Sequence, residues 1–469
     1  MTDGSFKQAE NQTDTLVVPV GTQPDLLRVH AADPQRFPYL LESAAGGTEQ
    51  GRFDILFAFP GDTLTLHGDG SLSGPCADVV TGFLHGLDKW FVGESLLAET
   101  PPADLPFSGG WFLYLGYELA AEVEPTLNLP IDENVPVAFA TRIQVAVIRN
   151  RDSGETFVVG EAGCDELVGQ VVAALSEVTA LADDPSVAPG EVEEEDPQQF
   201  LKAVLRAKEY IAAGDVFQAN LSRQWAGQAS PGMQPWHYYQ RLRAANPAPF
   251  AGLAVRGDFA VVSSSPERLI SCDGEHVETR PIAGTTPRRN GSVLSGDDLE
   301  AFLGNPKERA EHVMLIDLER NDLGRICEGG SVVVDEFMVV ESYSHVHHIV
   351  SNVRGKLRSD VTPGAMIRAV FPGGTITGCP KVRCMEIIAE LEGRPRGAYT
   401  GSMGYLNRNG SADLSILIRT MTLQEGRLTL AAGSGIVADS KPESELEETR
   451  AKAKGLLMSL QEPAESSGG

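Results

Sequence analysis

The chain has 469 residues, 42% of them hydrophobic, and a formal net charge of −27. That length supports a large core and two to three domains. The acidic balance argues against a nucleic-acid surface, which needs clustered Lys and Arg, and an anionic substrate would be repelled unless its site is locally positive.

No run of about 18 apolar residues is present, so no membrane span is expected. The start Met1-Thr2-Asp3-Gly4-Ser5 lacks the basic and apolar stretches of a secretory signal. The 6 cysteines form no CxxC pair, which argues against a zinc site and for a reducing cytoplasm.

In chain order, residues 1–15 read as loose, and a first domain is expected over 15–180. It carries strand-like runs at Phe53–Phe59 and Ala138–Ile148 and a Gly-rich piece at Gly109–Tyr117. Pro, Gly and acidic residues dominate 181–197, which reads as a linker. A second domain is expected over 198–460, opening with an amphipathic helix from Gln198 to about Ala213. The turn signal Arg408-Asn409-Gly410 between apolar runs predicts an antiparallel hairpin. Strands and helices do not alternate as a regular βαβ repeat, so the class expected is α+β. The tail Pro463–Gly469 reads as disordered.

Two acidic segments stand out, Asn305–His312 and Ser440–Glu448. Pro306 and Pro442 suit a first helical turn, and Ser440 with Glu443 reads as a capping box. Glu308/Glu311 and Glu445/Glu448 each lie three residues apart on one helical face. They are either solvated faces or, opposed across a cleft, an oxygen-ligand site for a hard cation such as Mg²⁺. Lys452, four residues after Glu448, either forms a helix ion pair or points into the same cleft.

Glu267 follows a strand, and is either an ion-pair partner or a proton donor. Arg419 is expected inside the apolar strand Leu414–Thr420, as an edge charge or a carboxylate binder. Ala432–Ala438 resembles a dinucleotide fingerprint loosely, but Pro442 follows and too little chain remains for a βαβ unit. A tight turn and a carboxylate-binding turn are equally open there. Phe371–Lys381 is not a phosphate loop, because Cys379 and Pro380 separate its last Gly from Lys381. Cys379 and Cys384 read as buried small hydrophobes. His345, His347 and His348 lack helical ligand spacing, so one acid/base histidine and two structural ones are expected.

These residues together resemble the chorismate-utilising enzymes. The motifs are Pro281-Ile282-Ala283-Gly284-Thr285, Lys307–His312, Arg320–Arg325, Phe371–Thr375, Ile418-Arg419-Thr420 and Gly433-Ser434-Gly435. The resemblance implies two face-to-face β-sheets flanked by helices. It implies Mg²⁺ held by Glu311 and Glu448, with Glu308 and Glu445 beside them through water. Tyr399, Arg419 and Gly433, Ser434 and Gly435 would hold a carboxylate of chorismate, with Gly284 and Thr285 on the other side. Glu267 would be the acid/base, and His348 falls where the anthranilate branch has a histidine tied to pyruvate loss. Gln218 replaces the lysine of branches that add water, which points to ammonia as nucleophile. The runs Gln218–Ser222, Asn246–Ala251 and Gly116–Leu119 look like the aminodeoxychorismate branch. Ala283 departs from it, standing where many of its members have a nucleophilic lysine, and this favours the anthranilate alternative. No nucleophile elbow of a glutamine amidotransferase is present, so ammonia is expected from a glutaminase partner or from solution. Leu40–Ser43 resembles a tryptophan-pocket segment; Ser43, Pro249, Phe250 and Ala251 would line it, unless it is an ordinary strand end.

Overall fold

The computed structural model describes residues 15–21, 23–44, 51–95, 105–177, 190–287, 296, 299, 303–304, 306–342 and 346–461, without the side chains of 283, 285–287, 306–308 and 346. The ends expected to be loose, up to residue 14 and from Pro463, lie outside the described residues.

Two antiparallel sheets form the molecule. One has twelve described strands and runs Leu16–Val20, Thr156–Gly160, Val145–Asn150, Phe53–Ala58, Tyr39–Glu42, Phe250–Arg256, Phe259–Ser265, Thr420–Gln424, Arg427–Ile436, Gln218–Gln228 and Val192–Glu194, with Gly378–Cys379 paired onto Gln218–Gln228. The other has eleven and runs Ile282–Pro287, Val346–Lys356, His276–Thr279, Arg268–Cys272, Ala412–Ile416, Ser402–Asn407, Gly110–Leu115, Ala138–Ile143, Thr63–Leu66 and Leu72–Ser73, with Val333–Ser342 on Val346–Lys356. The run expected as one strand over 138–148 is two strands, split at exposed Gln144, and each half enters a different sheet. The hairpin predicted at Arg408-Asn409-Gly410 is present, with Gly410 at φ +87° between Ser402–Asn407 and Ala412–Ile416.

The sheets pack face to face on aromatic side chains. Tyr39 and Phe57 of one meet Phe112, Tyr114 and Phe139 of the other, and the Tyr39 and Phe112 rings stack with centroids 4.1 Å apart. Each such side chain contributes roughly 1.5–3 kcal/mol on burial. Helices Phe83–Glu94, Pro306–Gly324 and Pro363–Val370 cover the outer face of the eleven-stranded sheet. Helices Leu26–Ala32, Asp165–Glu177, Pro235–Ala245 and Pro442–Ser459 cover that of the other. Helix Pro197–Ala213 starts where Asp196 Oδ1 accepts from Gln198 N at 3.0 Å and stops at left-handed Gly214.

The boundary drawn at 181–197 divides the chain but not the sheets. Tyr39–Glu42 pairs with Phe250–Arg256, and Gly110–Leu115 with Ser402–Asn407. Of the segment expected as linker, Val192–Glu194 is a strand, fastened because Glu194 pairs with Arg223 at 2.6 Å and with Arg450 at 2.7 Å. The capping box expected at Ser440 is absent. Lys441 is the N-cap, and the Ser440 hydroxyl accepts from Val437 N at 3.0 Å, closing the turn out of the preceding strand instead. Among the described residues no helix is long and apolar enough to cross a membrane.

Candidate active site

Gly433 and Gly435 do not form a turn, as one reading of the sequence had it. They lie inside strand Arg427–Ile436, where Ser222, Leu221 and Asn220 pair with Gly433, Ser434 and Gly435. Their lack of side chains is needed for close approach. A Cβ on Gly433 would lie 2.6 Å from both Asn220 Oδ1 and Tyr399 Oη, and one on Gly435 would lie 2.5 Å from Gln218 Nε2. The same point above Gly435 is 3.7 Å from Glu311 Oε1. Ser434 alternates to the opposite face, where its hydroxyl donates to Glu445. The glycine pair therefore opens a floor with Gln218, Asn220, Tyr399 and Glu311 around it. Gln218 Oε1 and Asn220 Oδ1 are buried and lack a hydrogen-bond partner among the described residues, so the floor offers acceptors to a ligand.

Glu267 sits between strands Phe259–Ser265 and Arg268–Cys272 and is 6% exposed. Its backbone is fixed on both sides: Ser265 Oγ accepts from its N–H at 3.2 Å, and Ile416 N donates to its carbonyl at 3.0 Å. Thr375 Oγ1 donates to the carboxylate at 2.7 Å. Burial pushes the carboxyl up to about 7, against the opposing pull of Thr375, Lys452 and Arg419. A carboxyl poised near neutrality can both give and take a proton.

Arg419 is not inside a strand. It occupies the break between Ala412–Ile416 and Thr420–Gln424 at φ +53°, a conformation that turns it out of the ladder. Burial lowers its pKa, while Tyr399, Glu267 and Glu448 face it and oppose that shift. Among the described residues its guanidinium makes no salt bridge within 4 Å, which leaves its fork available to an anion. Tyr399 is buried, and its hydroxyl is pushed up to about 12 by burial, so it remains a donor.

Lys452 forms the helix ion pair and also reaches the glycine strand. Its Nζ pairs with Glu448 at 2.7 Å and donates to the Gly433 carbonyl at 3.0 Å. Glu448 from helix Pro442–Ser459 and Glu311 from helix Pro306–Gly324 thus approach one glycine strand. Glu445 is buried and engaged by Ser434. The side chain of Glu308 lies outside the described residues, as does His345. Among the described residues no three His, Cys, Asp or Glu side chains make a ready-made metal cage. Two carboxylates from separate helices fit Mg²⁺, which keeps several waters and takes ligand oxygens from its substrate.

His348 is buried beside Arg419 and the Gly284 backbone; burial, then Arg419, lowers it to about 4, so it is neutral. Gly284 is left-handed at φ +59° in an irregularity of the ladder to Val346–Lys356, where Thr285 pairs with His348. The side chains of Ala283 and Thr285 lie outside the described residues. His347 Nδ1 meets Ser342 Oγ at 2.8 Å, a structural contact. Cys384 is fully buried, whereas Cys379 is partly exposed.

Ser43, Pro249, Phe250 and Ala251 line a second cavity of about 150 Å³, with Glu42, Arg268, Met403 and Tyr405. Ser43 Oγ donates to the Pro249 carbonyl at 3.1 Å. Thr375, Asn220, the buried Glu319 and Asp322, and the half-buried Lys381 paired with Asp322 were not among the expected site residues. The signal for two of these was available: Glu319 and Asp322 fall in step with Leu315, Ile316 and Leu323 on the buried stripe of their helix.

Residues 47–458 match the model of the chorismate binding enzyme family. The chain is 44% identical over 371 residues to an anthranilate synthase component I-like protein of Synechocystis, covering 78% of this chain and 75% of that one. It is 39% identical over 451 residues to aminodeoxychorismate synthase component 1 of Bacillus subtilis, covering 92% and 93%. The crystal structure of anthranilate synthase component I from Streptococcus pneumoniae superposes with a TM-score of 0.76 at 31% identity, covering 88% of this chain and 93% of that one.

Proposed function

The chain belongs to the chorismate-binding enzyme family, and from that premise we propose that it joins ammonia to chorismate and releases 4-amino-4-deoxychorismate, a precursor of p-aminobenzoate and folate, in the cytoplasm. The observation that carries this reading is that the charges of Glu267, Arg419, Lys452 and Glu448 act on one another while Glu311 and Lys452 border the bare strand Gly433–Gly435. Whole-length identity is shared with aminodeoxychorismate synthase component 1 of Bacillus subtilis and with proteins named anthranilate synthase component 1, so the choice of product rests on the runs Gln218–Ser222, Asn246–Ala251 and Gly116–Leu119.

Glu311 and Glu448 would hold Mg²⁺, with Glu308 beside them; Glu445, expected there as well, is instead held by Ser434 on the opposite face of the glycine strand. When bound, the ion supplies positive charge against the ring carboxylate of the substrate. Arg419, with Tyr399 and the amides of the glycine strand, binds the other carboxylate, and Gly284 and Thr285 close the far side. With Lys452, these groups offset the local acidity, so a dianion can enter an acidic protein. Gln218 cannot deprotonate water, but its carbonyl oxygen can accept from ammonia, which is already nucleophilic when unprotonated.

Ala283 cannot attack the ring. Ammonia therefore adds at C2 while the C4–O bond breaks, and the leaving hydroxyl takes the Glu267 proton and departs as water. A second ammonia adds at C4 as the C2 ammonio group leaves as ammonia, and the new C4 ammonio group gives a proton back to the Glu267 carboxylate, leaving 4-amino-4-deoxychorismate. A second reading is favoured by one observation, the neutral His348 beside Arg419 and Gly284. A base there would remove the C2 proton after the first addition, pyruvate would leave, and anthranilate would form. A separate glutaminase subunit is the proposed ammonia source.

The purified chain incubated with chorismate, Mg²⁺ and ammonium should consume chorismate and yield p-aminobenzoate only after aminodeoxychorismate lyase is added. Fluorescent anthranilate formed without lyase would replace the first reading with the second.

A further inference from the structure

Between helix Lys381–Glu392 and strand Ser402–Asn407 the chain carries a cation shut away from solvent: the Arg396 side chain is 1% exposed. All five of its N–H groups have acceptors. Nε donates to Glu392 Oε2 at 3.0 Å, and Nη2 donates to Glu392 Oε1 at 2.6 Å and to the Asn220 carbonyl at 2.7 Å. Nη1 donates to the Ile376 carbonyl at 3.3 Å and to Thr400 Oγ1 at 3.2 Å. Its Cζ stands 4.9 Å from the centre of the Tyr117 ring and 5.5 Å from that of Tyr399.

The backbone and hydroxyl groups it grips adjoin parts of the site. Asn220 lends its side-chain oxygen to the glycine floor. Ile376 follows Thr375, whose hydroxyl holds the Glu267 carboxylate at 2.7 Å. Thr400 follows Tyr399, and its hydroxyl also donates to the Tyr399 carbonyl at 2.5 Å. Thr400 stands at φ +62°, a conformation a β-branched residue keeps only where its surroundings hold it. Glu392 ties in the floor itself: its Oε1 accepts from Ser222 N at 2.8 Å, and Ser222 pairs with Gly433 in the ladder. An ion pair serving stability alone needs none of these partners, and apolar side chains of similar volume often serve as well. One planar fork thus joins strand, turn and tyrosine.

We propose that Arg396 is a positioning residue: with Glu392 it sets where Tyr399 presents its hydroxyl to the substrate carboxylate and where Thr375 holds Glu267. It reaches the chemistry only through those two side chains. A lysine in its place keeps the charge but not the fork, so it cannot hold strand, turn and tyrosine together. The inference rests on the proposed roles of Tyr399 and Glu267 and is the same for either product.

The test is chorismate consumption by Arg396→Lys, alone and combined with Tyr399→Phe or with Thr375→Val, with kcat and KM read separately. Alone, Arg396→Lys should raise KM about 10-fold through Tyr399 and lower kcat about 10²-fold through Thr375. With Tyr399→Phe already present the KM rise should vanish. With Thr375→Val present most of the kcat loss should vanish, because the side chain it acts through is altered. A merely structural role would lower the melting temperature and leave kcat and KM unchanged, or change them by the same factor in every background; either result overturns the proposal. If Arg396→Lys does not fold, Thr400→Val, close in volume, loosens the Tyr399 arm alone. It should raise KM in wild type and not in Tyr399→Phe, and an equal rise in both would overturn the proposal. If wild type consumes no chorismate, the proposed function fails by itself, and substrate-free crystal structures of Arg396→Lys and Thr400→Val decide. Tyr399 Oη or Thr375 Oγ1 displaced by about 1 Å supports the positioning role; both atoms in place refute it.

Discussion

Glu267 is kept in the fold at an energetic cost. Its folded pKa of about 7 lies above the ordinary 4.5, so between those values the folded protein binds more protons than the unfolded chain. Stability from this group is then lost as pH rises through that window, by roughly 3 kcal/mol at most. Glu267→Gln keeps the shape and removes the charge. Its melting temperature should exceed that of wild type by several degrees at pH 8, with the gap narrowing toward pH 4.5. Glu118, also pushed to about 7 by burial, titrates in both proteins and cancels. A gap independent of pH would show that Glu267 is not a buried neutral acid. Its strand-end position made this residue legible in the sequence. Thr375, which sets its geometry, lies 108 residues away, and no local pattern links the two.

At the level of elements, periodicity served where segments are long and failed where function bends them. The helix opening the second half and the hairpin at Asn409 follow from capping and turn chemistry, which are local. The glycine-rich run looked like a turn because glycine usually marks one. Here it is strand, and its glycines make room for Asn220 and Gln218 of the neighbouring strand and for Tyr399 of the turn before Ser402–Asn407. Arg419 looked like mid-strand because its neighbours are apolar; its positive φ is imposed by tertiary context. Gly435→Ala tests the floor directly. The added methyl would meet the far end of Gln218, a side chain able to swing, and would stand 3.7 Å from Glu311 Oε1. Chorismate consumption should drop by about 10²-fold, the scale of a misplacement near 1 Å, while the melting temperature changes by only a few degrees. Undiminished turnover would remove the glycine strand from the site.

Across the whole molecule, the motifs identified the fold class and the two sheets, but not which strand joins which sheet. Strand membership depends on contacts between distant segments, such as Gly110–Leu115 with Ser402–Asn407, and composition carries no trace of them. The same topology brings Glu311 and Glu448 to one strand from helices on opposite sides of the molecule, within a chain of net charge −27. The account depends on that meeting, and titration calorimetry of chorismate into the protein with and without Mg²⁺ tests it most directly. Binding should require the metal, weaken at least about 10-fold in its absence, and weaken comparably in Glu448→Gln. Equal affinity in metal-free buffer and in Glu448→Gln would contradict a metal clamped between the two carboxylates.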